Sequence, residues 1–148
     1  MKTNNWDIFC MELAQKVAQE AKCLKRKVGA IIVNESYEIL AMGYNSSPNG
    51  VQNCCDKGYC LRQNSKSGEN LDMCLSTHAE INAILHCLKQ RVNCEGLTMY
   101  VTTFPCTNCM KAIINSGIKE VVYLEDYNAP LSKQLASQSG VKIRGIKL

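Results

Sequence analysis

Thr77-His78-Ala79-Glu80-Ile81-Asn82-Ala83-Ile84 and, downstream, Pro105-Cys106-Thr107-Asn108-Cys109 are the stretches that decide how this 148-residue chain is read. Together they hold one imidazole, two thiols and one carboxylate. A catalytic zinc takes three protein ligands and keeps a fourth position open for water. His78, Cys106 and Cys109 supply three, which leaves Glu80 free to move protons. Two thiolates and a neutral imidazole offset the charge of a divalent zinc, whose bound water then has its pKa lowered toward ~7. Cys106 and Cys109 stand three apart, on one face of a helical turn. Pro105 before them suits the first turn of a helix, where its missing N–H costs little. His78 and Glu80 are two apart and diverge in mid-helix, so they must act from a helix start.

Hydrophobic residues make up 46% of the chain, enough for a globular domain with its own core. We expect a single domain over 1–148. No apolar run approaches the ~20 residues of a membrane span. The opening Met1-Lys2-Thr3-Asn4-Asn5-Trp6-Asp7 has no signal-peptide core, so a cytoplasmic protein is expected. In that setting ten cysteines point to metal binding and buried free thiols, not disulfides. The net charge of +4 is spread thinly. Its densest cluster, Lys25-Arg26-Lys27, reads as a solvated loop that helps attract an anionic nucleotide. It does not make a nucleic-acid face.

Residues 5–20 carry Ile8, Phe9, Leu13 and Val17 at helical spacing, which predicts an amphipathic helix with Trp6 and Phe9 in the core. The apolar run 28–33 predicts a strand buried on both faces, and 39–44 its hairpin partner. Residues 45–76 have no period and are rich in Asn, Gly, Ser and Cys; so long an irregular stretch is usually functional or held by something. Beyond it the pattern predicts a helix over 78–89, a strand over 97–101, a helix over 105–115, a strand over 120–124, a helix over 130–138 and a strand over 141–146. Alternating strand and helix predicts an α/β fold, with the last two strands parallel because parallel neighbours need a crossover. The expected architecture is a five-stranded mixed sheet with helices on both faces, and the two motifs opening adjacent helices at one edge of it.

His-x-Glu followed by Pro-Cys-x-x-Cys is the known signature of the zinc nucleobase deaminases. From Lys22 to Tyr127 the chain resembles the deoxycytidylate (dCMP) deaminases, including the ComE operon protein 2 type. Val28-Gly29-Ala30, Gly43-Tyr44-Asn45, Pro48, Gly50, the segment His78 to Leu85, Tyr100 to Cys109, and Ser116-Gly117-Ile118 through Tyr123 carry the likeness. Gly43-Tyr44-Asn45 with Tyr127 points to the deoxynucleotide branch. The resemblance implies a three-layer α/β/α cytidine-deaminase-like fold. It also implies hydrolytic deamination of dCMP to dUMP and ammonia, which supplies thymidylate synthesis. His78, Cys106 and Cys109 match the family's catalytic zinc ligands, Glu80 its proton shuttle, and Asn45 and Tyr127 its substrate contacts. A homo-oligomer, often a hexamer, and dCTP and dTTP as effectors are implied as well. Ser46 stands where the family commonly has Gly, in the region tied to effector binding.

Some members carry a second, structural zinc, and Cys23 and Cys54 match two of its ligand positions. The remaining ligands do not match, with Ser76 at one of those positions; Cys60 and Cys74 are the natural replacements. A closed four-thiolate site would carry −2 charge, partly offset by Lys25, Arg26 and Lys27. Cys55 adjoins Cys54 and points the other way in an extended segment. Two other functions share these features. A tRNA adenosine deaminase has the same signature but needs a basic RNA face. A non-catalytic zinc-stabilised module needs a closed site, for which only three ligands are evident. His86 reads as a helix-face residue without a chemical role.

Overall fold

The computed structural model describes residues 3–148. Its centre is a five-stranded sheet in the order β2-β1-β3-β4-β5. β1 (Gly29–Val33) and β2 (Ile39–Tyr44) form an antiparallel hairpin, and β1 also runs antiparallel to β3 (Thr98–Thr103). β4 (Glu120–Glu125) and β5 (Lys142–Gly145) continue the sheet in parallel. The change of sense follows from the connections. A five-residue turn joins β1 to β2, whereas α4 (Thr107–Ser116) and α5 (Pro130–Ser139) provide the crossovers that parallel neighbours require. Each of these two helices ends on a glycine in the left-handed region, Gly117 at φ 86° and Gly140 at φ 82°.

Helices cover both faces. One apolar cluster joins β1, β3 and β4 to α3 (Ala79–Lys89), α4 and α5 through Ile32, Ala83, Met99, Met110, Ile113 and Val121. The other joins the opposite face to α1 (Asn5–Ala18) through Met11, Ala14, Val17, Ile31, Tyr100 and Val122. β1 is buried along its whole length, as its unbroken apolar run predicts.

α1 presents a different face from the one its large apolar residues predict. Trp6 is 51% exposed and Phe9 49%, and Ile8 also faces solvent, while Asp7, Cys10, Met11, Ala14, Val17 and Ala18 are buried. The cause lies at Gly29. A Cβ there would collide with the Ala14 carbonyl oxygen and the Ala18 backbone, so helix and strand meet through small residues. That rotation turns Asp7 inward. There it accepts the Tyr100 hydroxyl at 2.7 Å and both terminal amino groups of Arg144 at 2.7 and 2.9 Å. Burial alone would push the Asp7 carboxyl up, but the hydrogen bonds from Arg144 and Tyr100 outweigh it and hold it down at about 2. Trp6 instead stacks on Tyr37, ring centroids 5.2 Å apart, and takes the edge of Phe9.

The helix expected over 105–115 starts two residues later, leaving Pro105 outside it with Cys106 as its N-cap. Residues 45–76 are largely irregular but contain α2 (Cys54–Lys57) and one 3-10 turn (Leu71–Met73). All ten cysteines are free. No helix among the described residues is long and apolar enough to cross a membrane.

Candidate active site

Two helix N-termini meet at the site. His78 is the N-cap of α3 and Cys106 the N-cap of α4, both with extended backbone, at φ −67°, ψ 153° and φ −66°, ψ 168°. Neither side chain caps its helix, so both project beyond the helix end. Glu80 and Cys109 follow in the first turns. The geometry resolves the divergence expected of His78 and Glu80, because the histidine leaves from outside the helix and the glutamate from within it. The positive ends of both helix dipoles face these groups and favour thiolate and carboxylate.

His78, Cys106 and Cys109 offer ligand atoms that all lie within 4.8 Å of one another. His78 Nδ1 is 3.3 Å from Cys109 Sγ and 3.6 Å from Cys106 Sγ. Zinc bonded to nitrogen and sulfur at its usual lengths separates tetrahedral neighbours by ~3.5 Å, so the three residues fit that ion without rearrangement. The donor set has the chemistry of a cation site as well. The hydrogen bond from Cys109 holds the Cys106 thiol down at about 4, while sharing that proton and burial push Cys109 far above the usual thiol range. The Cys106 sulfur in turn raises the imidazole of His78.

Glu80 is 4% exposed, and burial pushes its carboxyl up despite the helix N-terminus beside it. It lines a cleft of about 340 Å³ that also takes in His78, Cys106, Asn45, Phe104 and Tyr127. The sequence-predicted residues therefore converge. Asn45 has a structural task in addition to its place in the cleft. Its Oδ1 accepts the Val28 N–H at 2.9 Å, and its Nδ2 donates to the Arg26 carbonyl at 2.7 Å. One Nδ2 hydrogen is left over. Tyr127 is half-buried, with its ring under the Arg26 guanidinium, 5.2 Å from centroid to Cζ.

Several contributors escape a reading by motif. Asn82 donates to the Tyr44 carbonyl at 2.8 Å and the Thr77 carbonyl at 3.3 Å, tying the end of β2 to the start of α3. Ser132, fully buried, donates to the Pro105 carbonyl at 2.9 Å and anchors the entry to α4. Arg62 reaches the cleft from the middle of the irregular segment, where nothing in the local pattern marks it. His86 proves structural: its Nδ1 lies 3.1 Å from the Met42 amide on edge strand β2. Cys54 and Cys60 are buried, and Cys23 and Cys74 are half-buried. Burial first, then Cys60, Cys23 and Cys74, push the Cys54 thiol up, so the four are neighbours. They do not gather as tightly as the His78 set. Cys55 is exposed.

Residues 4–125 match the family described as the cytidine and deoxycytidylate deaminase zinc-binding region. The chain is 41% identical over 143 residues to the deoxycytidylate deaminase of Schizosaccharomyces pombe, covering 95% of this chain and 44% of that protein. It thus spans less than half the length of that relative. It is 39% identical over 150 residues to ComE operon protein 2 of Bacillus subtilis, covering 100% of this chain and 75% of the other. The dCMP deaminase of cyanophage S-TIM5, solved with dCMP and dUMP, superposes with a TM-score of 0.82 at 27% identity, over 99% of this chain and all of that one.

Proposed function

With the chain belonging to the cytidine and deoxycytidylate deaminase family, we propose that it deaminates dCMP hydrolytically to dUMP and ammonia, the dUMP feeding thymidylate synthesis. The carrying observation is the buried Glu80 carboxyl lying beside a His-Cys-Cys set with the spacing of zinc ligands, inside a cleft of nucleotide size. Zinc held by His78, Cys106 and Cys109 would supply Lewis-acid activation of the attacking water. The water oxygen adds to C4 of the cytosine ring. Glu80 accepts the proton that the water gives up and delivers it to N3. It then takes the proton remaining on the added oxygen, which becomes the C4 carbonyl, and passes it to the 4-amino group as the C4–N bond breaks and ammonia leaves. A carboxyl whose ionised form is disfavoured by burial is suited to both directions of that transfer.

Asn45, with one amide hydrogen uncommitted, serves the sugar side, and Tyr127 the phosphate side. We treat residues 1–148 as one such domain. Exposed Ile39 and Met42 on edge strand β2, with Leu85 and Leu88 on α3, support a homo-oligomer. The mutual approach of Cys23, Cys54, Cys60 and Cys74 supports a second, structural zinc binding the irregular segment to the start of β1. The Cys55 amide, donating to the Lys22 carbonyl, already joins those two segments.

The test is a substrate panel of cytidine, deoxycytidine, CMP, dCMP and dCTP, read by ammonia release. We expect dCMP to be turned over with the highest kcat/KM. No ammonia from any of the five would overturn the reading, and so would release from a tRNA anticodon stem-loop but not from dCMP.

A further inference from the structure

Asn82 holds the carbonyls on both sides of His78. Its side-chain Nδ2 donates to the Thr77 carbonyl at 3.3 Å, and its backbone N–H donates to the His78 carbonyl at 3.0 Å. The same Nδ2 donates to the Tyr44 carbonyl at 2.8 Å. Tyr44 immediately precedes Asn45, as Thr77 immediately precedes His78. One amide group therefore joins the peptide entering the sugar contact to the peptide entering the metal cluster.

The helix itself gives no reason for asparagine here. Asn82 is the fourth residue of α3, half-buried, and asparagine is a poor former of helix interiors. The two carbonyls do give a reason. They can only accept, and an amide nitrogen brings two hydrogens to them, whereas an aspartate of the same shape brings none. Ser46 Oγ lies at the margin of the same group, 3.5 Å from Nδ2.

Asn45 and His78 also stand at the two ends of the long irregular segment. Residues 46–77 leave the sheet after Asn45 and return at His78. The two stems of this excursion meet in a bridge between Ser46 and Thr77, with hydrogen bonds of 3.2 and 2.7 Å. Asn82 grips both stems from the helix side. Gly43 allows that approach, since a Cβ on it would meet the Asn82 backbone. On its other side Asn45 is fixed as well, its carbonyl accepting the Lys22 N–H at 2.9 Å.

We propose that Asn82 is a positioning residue for the deamination, a clip that sets Asn45 against the His78–Glu80 end of the cleft. The clip rests on the reading of the cleft as a dCMP site. Asn45 locates the nucleotide by its sugar, while His78 and Glu80 fix where the water attacks and where the proton moves. C4 meets that water only when the two ends keep register, and a misplacement of ~1 Å can cost ~10²-fold in rate. Without the clip, that register is left to the Ser46–Thr77 bridge.

The experiment compares zinc-loaded wild type with Asn82→Ala, Asn82→Asp, Asn45→Ala and the double variant of Asn82→Ala with Asn45→Ala. Kinetics on dCMP are read beside elemental analysis and amide hydrogen exchange. Alanine is the better helix former, so Asn82→Ala should fold and keep its zinc. Its kcat should fall roughly 10- to 100-fold, with KM changed less than about threefold. Asn82→Asp keeps the shape without the donors and should lose at least as much. In the Asn45→Ala background the further loss from Asn82→Ala should shrink to about threefold or less, because no sugar contact is left to align. The Ser46 and Thr77 amides should exchange at least about tenfold faster in Asn82→Ala, with the sheet amides unchanged. A kcat within about threefold of wild type in Asn82→Ala, or an equal loss with and without Asn45, would overturn the positioning role and leave the deaminase reading standing. Faster exchange at Ser46 and Thr77 in a protein whose wild type releases no ammonia from dCMP would do the reverse, keeping the clip and removing the reaction.

Discussion

Gly43 of β2 lies so close beneath the Ala79 carbonyl of α3 that a Cβ on it would collide with that oxygen and with the Ala83 amide nitrogen. The start of α3, which carries Glu80 and is capped by His78, therefore rests directly on the sheet backbone. Gly43→Ala should lift it. Overpacking of this kind costs ~1–3 kcal/mol, so we expect a lower denaturation midpoint in urea, together with a fall in kcat larger than the rise in KM. An alanine variant with unchanged midpoint and turnover would show that the helix has room to move.

Glu80→Ala should retain its metal and lose turnover. A positioned acid–base group contributes ~10²–10⁴-fold, and the His78, Cys106 and Cys109 cluster is untouched by the change. Elemental analysis should find the wild-type amount of catalytic zinc, while ammonia release from dCMP falls by at least two orders of magnitude. Activity within about tenfold of wild type would remove Glu80 from the proton transfers.

If Cys23, Cys54, Cys60 and Cys74 close on a second ion, protein purified without chelator should carry two zincs per chain. Cys60→Ser should then lose one of them and become less stable to heat. One zinc per chain in the wild type would refute the second site and leave the catalytic one intact.

The pair of Asp7 and Arg144 makes stability depend on pH in a definite direction. The Asp7 carboxyl is lowered from 3.8 to about 2 in the folded chain. Its stabilisation is therefore fully present above pH 3.8 and is lost as pH falls toward 2, an amount of about 2 kcal/mol. Asp7→Asn leaves Arg144, 14% exposed, with Glu120 as its remaining ion-pair partner, and should cost about 3 kcal/mol near neutrality. Unfolding in urea between pH 2 and 6 should show the gap between variant and wild type narrowing below pH 4. A gap constant over that range would mean that the pair does not titrate as described.

The candidate metal cluster was legible in the sequence because its members come in local pairs. His78 and Glu80 sit two apart, as do the ends of no other short His-Glu pair here, and Cys106 and Cys109 share one helical turn, so residue type and spacing determine what each pair can do. The sheet was legible for a similar reason: an unbroken apolar run such as 29–33 and an alternation of strand and helix each carry their own period. The buried face of α1 was not, because a bulky apolar residue and a buried one look alike until a neighbour decides between them. Gly29 made that decision by demanding Ala14 and Ala18 at the contact, which turned Trp6 and Phe9 outward and Asp7 inward. Arg62 was silent for the opposite reason. Charges on an aperiodic segment have no meaning until the chain folds back, and it took the ammonium of Lys25, bonded to carbonyls 37 and 40 residues away, to bring Arg62 into the cleft. Sequence alone determined which atoms can bind metal and move protons; the tertiary structure decided what faces them, because long-range packing, not local spacing, sets where each side chain points.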